Sequence, residues 1–556
     1  MNRALRSVLV AVLTVTGALM STGLARADVT NSTGTNVQSG NNRSTGTQSG
    51  TSKTGDSVGG QVTGVVSSGR TSVDARNNSS NSDVTSGDAR GSNSANTFTG
   101  LNSSDSIGVG AADITGSAAS NLQDGNNSST YNQSANYTTG DGVAGEVIGV
   151  VTAAGGSASI VGANTTTNSS VDTGDARGTN DYAAFTGLNE TDSTTTVAAA
   201  DIANSCNDGS DCDNVQDGNN RSIARQSSTA ATGDGVAGQV IGAVSGGATS
   251  IDASNRSDGV DVTTGNATND NSLASFTGLN SSETLTATAA DLTNVCNASC
   301  DNLQDGNNNS TLNQNAMSTT GDGVGGEVIG VVTSAGGSAS VVASNVSTNS
   351  DITTGDASSD NALAAVVGLT DTESTLTVAA ADISGSCVGA DCHNVQSGSN
   401  RLTGSQAATS ATGDGVAGQV LGVVSAGAAS LDATNRTDDS SVTTGDSDAT
   451  NSASEFVGLN FAPTSTIGAA DISSATAANL QDGSNRKTLS QNANATSGDG
   501  VAGQVSGVVT SAGGSASVVL ANTSTGIDST SGETHFDNTD NGFVGLNDSG
   551  GPLTVV

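Results

Sequence analysis

The chain has 556 residues with a formal net charge of −37, 74 glycines and no tryptophan, beside only 3 tyrosines, 7 phenylalanines and 2 prolines. This composition excludes an aromatic-rich core and the apolar-walled pocket of a typical enzyme. The excess of acid excludes nucleic acid as a partner.

Residues 1–27 read as a secretory signal peptide. Arg3 and Arg6 form its positive start, an apolar run from Val8 to Met20 follows, and Ala25-Arg26-Ala27 is the cleavage site before Asp28. The run is too short for a transmembrane helix, and no later stretch is long enough. The expected location is secreted or extracellular, with non-covalent association to a cell surface as the variant.

Beyond Asp28 the chain repeats itself. Asn-Val/Leu-Gln opens a unit at Asn36, Asn121, Asn214, Asn302, Asn394 and Asn479, at spacings of 85, 93, 88, 92 and 85 residues. The units are taken as 28–120, 121–213, 214–301, 302–393, 394–478 and an incomplete 479–556. In each, a Gly-Asp turn such as Gly140-Asp141 precedes an apolar run such as Val147–Val151. A second turn (at Asp175), a Phe-Thr-Gly-Leu-Asn segment (from Phe185) and an Ala-Ala-Asp-Ile segment (at Asp201) complete the unit. Odd units place 32 residues between the two turns, as from Asp56 to Asp88, and even units 34, as from Asp141 to Asp175. Ten of the 13 basic residues beyond the signal peptide fall in odd units. The period is therefore a pair of units, which either records duplication or presents two different faces.

Short runs rich in Val, Ile, Thr and Ala, punctuated by Gly, Asp, Asn and Ser, recur with no helical periodicity, so the fold is expected to be all-β. A sandwich core about 10 Å thick needs large side chains, and each unit supplies about one Phe. A repetitive parallel β-solenoid (β-helix) with several coils per unit has a narrower interior that small residues fill. It is the expected fold, with tandem β-sandwich beads as the alternative. The Gly-Asp turns become its corners, where Asp oxygens take up local N–H groups.

Each unit also carries Gln-x-Gly-x-Asn-x5-Gln, first as Gln38, Gly40, Asn42 and Gln48. This signature resembles the curlin repeat of bacterial amyloid fibres, with one residue fewer between Gly and Asn, and spans 13 residues per unit (Asn36–Gln48 in the first). More broadly, the chain resembles bacterial extracellular β-strand repeat surface proteins. In curlin repeats the Gln and Asn side chains stack in ladders between coils. The resemblance implies that role for Gln38, Asn42 and Gln48; Gln123, Asn127 and Gln133; and Gln216, Asn220 and Gln226. It implies the same for Gln304, Asn308 and Gln314; Gln396, Asn400 and Gln406; and Gln481, Asn485 and Gln491.

Six cysteines form three local pairs, Cys206/Cys212, Cys296/Cys300 and Cys387/Cys392. In an exported chain such pairs read as disulfides that staple small loops. Zinc would need four N/S ligands, and a histidine adjoins one pair alone, as His393. The turn aspartates Asp141, Asp234, Asp322, Asp414 and Asp499 recur, as do Asp113, Asp201, Asp291, Asp382 and Asp471. If coils stack, these charges line up, and calcium could bridge them; a solvated acidic face is the plainer reading, and no other cofactor is indicated. The two histidines, His393 and His535, are not equivalent, so no catalytic triad can be named and no enzyme is expected.

The function expected from these features is an exported structural repeat protein of a bacterial surface or extracellular matrix: a stalk, fibre subunit or adhesin. Head-to-tail self-association is the expected partnership, with a surface glycan or other matrix component as a further one. An ice- or glycan-binding solenoid, suggested by Thr139, Thr173, Thr232 and Thr264, is the alternative. A polysaccharide-degrading β-helix ranks third.

Overall fold

The computed structural model describes residues 41–99, 126–186, 219–277, 307–367 without 335, 399–457 and 484–544 without 512, together with short strands between these blocks. The described residues form a parallel β-solenoid. Each strand pairs with its equivalent one unit away, in register, as Asn42 with Asn127 and Asn127 with Asn220. Seven sheets contain six strands each, one from every unit. One unit is therefore one rung, and the expectation of several coils per unit is corrected to a single long coil. The physical reason is registry: equivalent residues can stack on each other in every rung when the coil closes after one sequence period.

In the second rung the chain runs out along β1 (Asn127–Thr138), β2 (Gly142–Val143) and β3 (Glu146–Ala154). It returns along β4 (Ala158–Thr167), β5 (Ser170–Asp172) and β6 (Ala176–Thr186). Every rung repeats these six strands. The limbs face each other, β1 against β6, β2 against β5 and β3 against β4. Inward and outward side chains alternate along each strand, as the pleat requires. Between β3 and β4 lie rows of aliphatic residues such as Ile148, Ile241, Ile329 and Leu421 opposite Ile160, Ile251, Val341 and Leu431. Val171, Val262, Ile352 and Val442 fill the space between β2 and β5. Among the described residues no helix is long and apolar enough to cross a membrane.

Rungs rise by about 4.8 Å, which is too little for bulky side chains to stack on themselves everywhere. One inward β1 row reads Gly46, Tyr131, Ala224, Leu312, Gly404, Leu489. Small residues occupy odd rungs and large ones even rungs. A Cβ on Gly46 would lie 2.0 Å from the Tyr131 ring, which itself stacks on Tyr182 with centroids 4.5 Å apart. The outer face of β4 alternates likewise: Asp74, Val161, Asp252, Val342, Asp432, Val519. Like charges there stand two rungs apart, about 10 Å instead of 4.8 Å, which roughly halves their repulsion. Odd and even units thus share every face and alternate along each row; they do not present separate faces.

The turn between β4 and β5 uses a left-handed residue in every rung: Asn81 (φ 52°), Asn168 (45°), Gly259 (61°), Asn349 (49°), Asp439 (46°) and Gly526 (62°). Asn, Asp and Gly are the residues that tolerate this conformation. A second backbone constraint sits just before β3. A Cβ on Gly145, Gly238 or Gly326 would lie 2.0 Å from the carbonyl oxygen of the glycine one rung on. By contrast, nothing lies within 4 Å of a Cβ on Gly242, which points outward from β3. Gly238→Ala is therefore expected to cost about 2–4 kcal/mol, whereas Gly242→Ala, in a strand interior, gains about 0.5–1 kcal/mol. Urea unfolding of the two variants checks this; equal effects would be inconsistent with the stacking.

Candidate functional site

The amides at positions 42 and 48 and their equivalents form ladders from rung to rung. Asn42 Nδ2 donates to Asn127 Oδ1 at 2.9 Å, and the row continues through Asn220, Asn308 and Asn400 to Asn485 at 2.8–2.9 Å. The glutamine row runs the opposite way. Gln133 Nε2 donates to Gln48 Oε1 at 2.9 Å, followed by Gln226, Gln314, Gln406 and Gln491. These glutamines also tie the limbs together: Gln226 Nε2 reaches the β6 carbonyls of Asn180 (3.2 Å) and Ser272 (2.7 Å). For Gln38, Gln123, Gln216, Gln304, Gln396 and Gln481 the backbones stack in register, while their side chains lie outside the described residues.

Two further asparagine rows escaped the sequence reading. Asn77, Asn164, Asn255, Asn345, Asn435 and Asn522 form one, in β4. Asn93, Asn180, Asn271, Asn361, Asn451 and Asn538 form the other, in β6. The signal was present, since Asn stands at these offsets in all six units, but the abundance of Asn elsewhere hid it.

A sixfold row at the start of β3 reads Gln61, Glu146, Gln239, Glu327, Gln419, Gln504. Glu146 and Glu327 are fully buried. Gln239 donates to Glu146 and Gln419 to Glu327, each to Oε2. On the other side of each carboxylate the row lacks a donor: Glu146 Oε1, Glu327 Oε1 and Gln239 Oε1 are buried acceptors with no hydrogen bond. A proton on the glutamate supplies the missing donor. Burial pushes Glu327 up to about 7, opposed only in part by Gln419, and raises Glu146 as well.

At the first corner, Asp56, Asp141, Asp234, Asp322, Asp414 and Asp499 form an unbroken outward row. Oδ1 of each accepts the backbone N–H of the next aspartate at 2.8–3.1 Å. The neighbouring Thr54, Thr139, Thr232, Thr320 and Thr412 hydroxyls accept the N–H of the next rung's glycine. The corner oxygens therefore bond the rung above rather than their own turn. Burial, with the like charges of Asp322 and Asp141, raises Asp234, and the N–H of Asp322 offsets part of this. Thr139, Thr173, Thr232 and Thr264 are buried, so these four do not build an exposed threonine face.

Among the described residues no group of three or more His, Cys, Asp or Glu is arranged to hold a metal ion. The second acidic row, Asp113, Asp201, Asp291, Asp382 and Asp471, lies outside the described residues, as do Cys206, Cys296 and Cys387. The backbones of Cys212, Cys300 and Cys392 stack in consecutive rungs, and their side chains fall outside the description.

The geometry defines a class: a parallel β-solenoid with one coil per repeat, held by inward amide rows. No family model, curated protein or solved structure matches the chain.

The glutamate rows give a pH test. A carboxyl whose folded pKa is raised binds its proton more readily folded than unfolded. Its contribution to stability therefore grows as pH falls from about 7 toward the ordinary carboxylate range, and is lost as pH rises through that window. Glu146→Gln with Glu327→Gln completes the row as Gln419 and Gln504 do. At pH 7.5 it is expected to stabilise the fold by about 1–3 kcal/mol per site, with the gain gone by pH 5. Thermal melts at both pH values measure this, and a pH-independent difference would contradict it.

Proposed function

We propose that this chain is an exported structural subunit of an extracellular assembly, built by stacking solenoids end to end. The observation that carries the reading is the polarity of the amide rows. The asparagine rows donate toward the sixth rung, so they start on acceptors at Asn42, Asn77 and Asn93 and finish on donors at Asn485, Asn522 and Asn538. The glutamine row finishes on the acceptor Oε1 of Gln491 and starts on the donor Nε2 of Gln48. The two ends are complementary head to tail and not head to head, which describes a heterologous, open-ended contact.

Two further features agree. The sixth rung is even and the first odd, so stacking continues the alternation. Six rungs rise about 29 Å, against about 85 Å of contour in the outgoing limb, so stacking end to end lengthens the rod along its short dimension. A secretory leader at 1–27 fits assembly outside the cell. The acidic corner rows oppose it until they are protonated, screened or bridged by a divalent cation.

Mature chain from Asp28 is expected to form fibres at pH 4–5, or with millimolar calcium, that negative-stain electron microscopy resolves. Thr47→Pro, which removes an edge N–H on the first rung's β1, is expected to shorten them at least severalfold. A monodisperse monomer throughout these conditions would overturn the reading.

A further inference from the structure

The outer side of β3 differs from the other outward faces. In every rung its outward positions read valine, glycine, valine: Val62, Gly64 and Val66 in the first, Val240, Gly242 and Val244 in the third, Val505, Gly507 and Val509 in the sixth; the first valine of the inner rungs is half-buried, with Val147, Val240 and Val328 packed on Val143, Val236 and Val324. No polar side chain interrupts these positions in any of the six rungs. Val151, Val244, Val332 and Val424 are each 45–50% exposed even with neighbours above and below. The outer face of β4, by comparison, carries Asp74, Arg76, Asp252, Arg256, Asp432 and Arg436. A contiguous apolar face of this size on a chain of net charge −37 is a contact surface.

Its relief specifies the occupant. The two valine rows stand about 13 Å apart along the strand, with the glycine row midway between them. Nothing lies within 4 Å of a Cβ built on Gly149, Gly242, Gly330 or Gly422, so the glycines form an open groove between two ridges. A groove flanked by valine ridges is the negative of one valine ridge. The surface that offers valine ridges at the same 4.8 Å repeat along the groove is this face itself. Six rungs by about 20 Å of strand give about 550 Å² per copy, so about 1,100 Å² in a pair, which clears the roughly 1,000 Å² needed for a biological interface and suits a reversible one.

We infer that two copies of this chain pack face to face through the outer side of β3, a valine ridge of each seated in the glycine groove of the other, as in a dry steric zipper. The contact is isologous and closes at two, unlike the end-to-end stacking proposed above, on which it does not depend. The corner aspartates beside β2 flank the face, so salt and lower pH tighten the pair.

Sedimentation velocity of the mature chain at pH 7.5 in 150 mM salt tests this. A reversible pair is expected, well populated at 100 µM. Gly149→Glu with Gly330→Glu, two rungs apart, puts charge into the groove at glycines where a Cβ meets nothing within 4 Å. That variant is expected to sediment as a single copy with an unchanged melting temperature, and its end-stacked fibres keep their length. Gly242→Leu with Gly330→Leu makes the face more apolar but fills the groove, and is expected to abolish the pair too. If the wild type remains single at 100 µM, or if either variant still pairs, the inference is wrong. Thr47→Pro, which acts on fibre length, leaves the pair intact, so the two assemblies fail separately.

Discussion

Each residue in this solenoid sits about 4.8 Å from its own equivalents above and below, and the rest of the structure follows from that. A side chain must be compatible with a copy of itself, or with a substitute one unit away. Amides satisfy this condition directly, because an asparagine or glutamine is both donor and acceptor. Four inward rows exploit it, and each one also fixes the register of its sheet, since a slip of one residue would turn every inward amide outward. Aliphatic β-branched residues satisfy it by close packing, which is how thin rows of Ile and Val serve as a core in a chain without tryptophan.

Charge, and bulk where the interior is narrow, tolerate self-stacking less well, and the chain handles them in two ways. Where it can, it alternates: tyrosine or leucine over glycine or alanine inside, aspartate over valine outside. The pair period of the sequence is the imprint of this rule. Where alternation is absent, as in the corner aspartate row, each carboxylate accepts an N–H from the next rung, so the like charges are held by the backbone they would otherwise push apart. Glu146 and Glu327 follow the first rule, standing two rungs apart with Gln239 between them.

Much of this was legible in the sequence. The unit spacing, the absence of helical periodicity and the shortage of aromatic residues identify a solenoid, and the Gln-x-Gly-x-Asn-x5-Gln signature picks out two of the four amide rows. The number of coils per unit was not legible, because a run of short strands closes a coil after 25 residues or after 90 with the same local pattern; long-range pairing decides it. The outer side of β3 was read only as an apolar run, since the β-period that assigns Val62 and Val66 outward and Val65 inward depends on knowing which flank is covered. The buried Gln/Glu row was missed because one position in a unit, viewed alone, is an ordinary polar residue beside a turn.

A strand whose partner lies 85–93 residues further along has nothing local to pair with. The closure entropy of such a loop must be met before the first contact forms, and the contact order is correspondingly high, which slows folding. Two adjacent rungs are thus the smallest nucleus, and each further rung adds to a finished template at lower cost, as in other linear repeat arrays. A chain with this architecture stays unfolded until nearly two full units are available to pair.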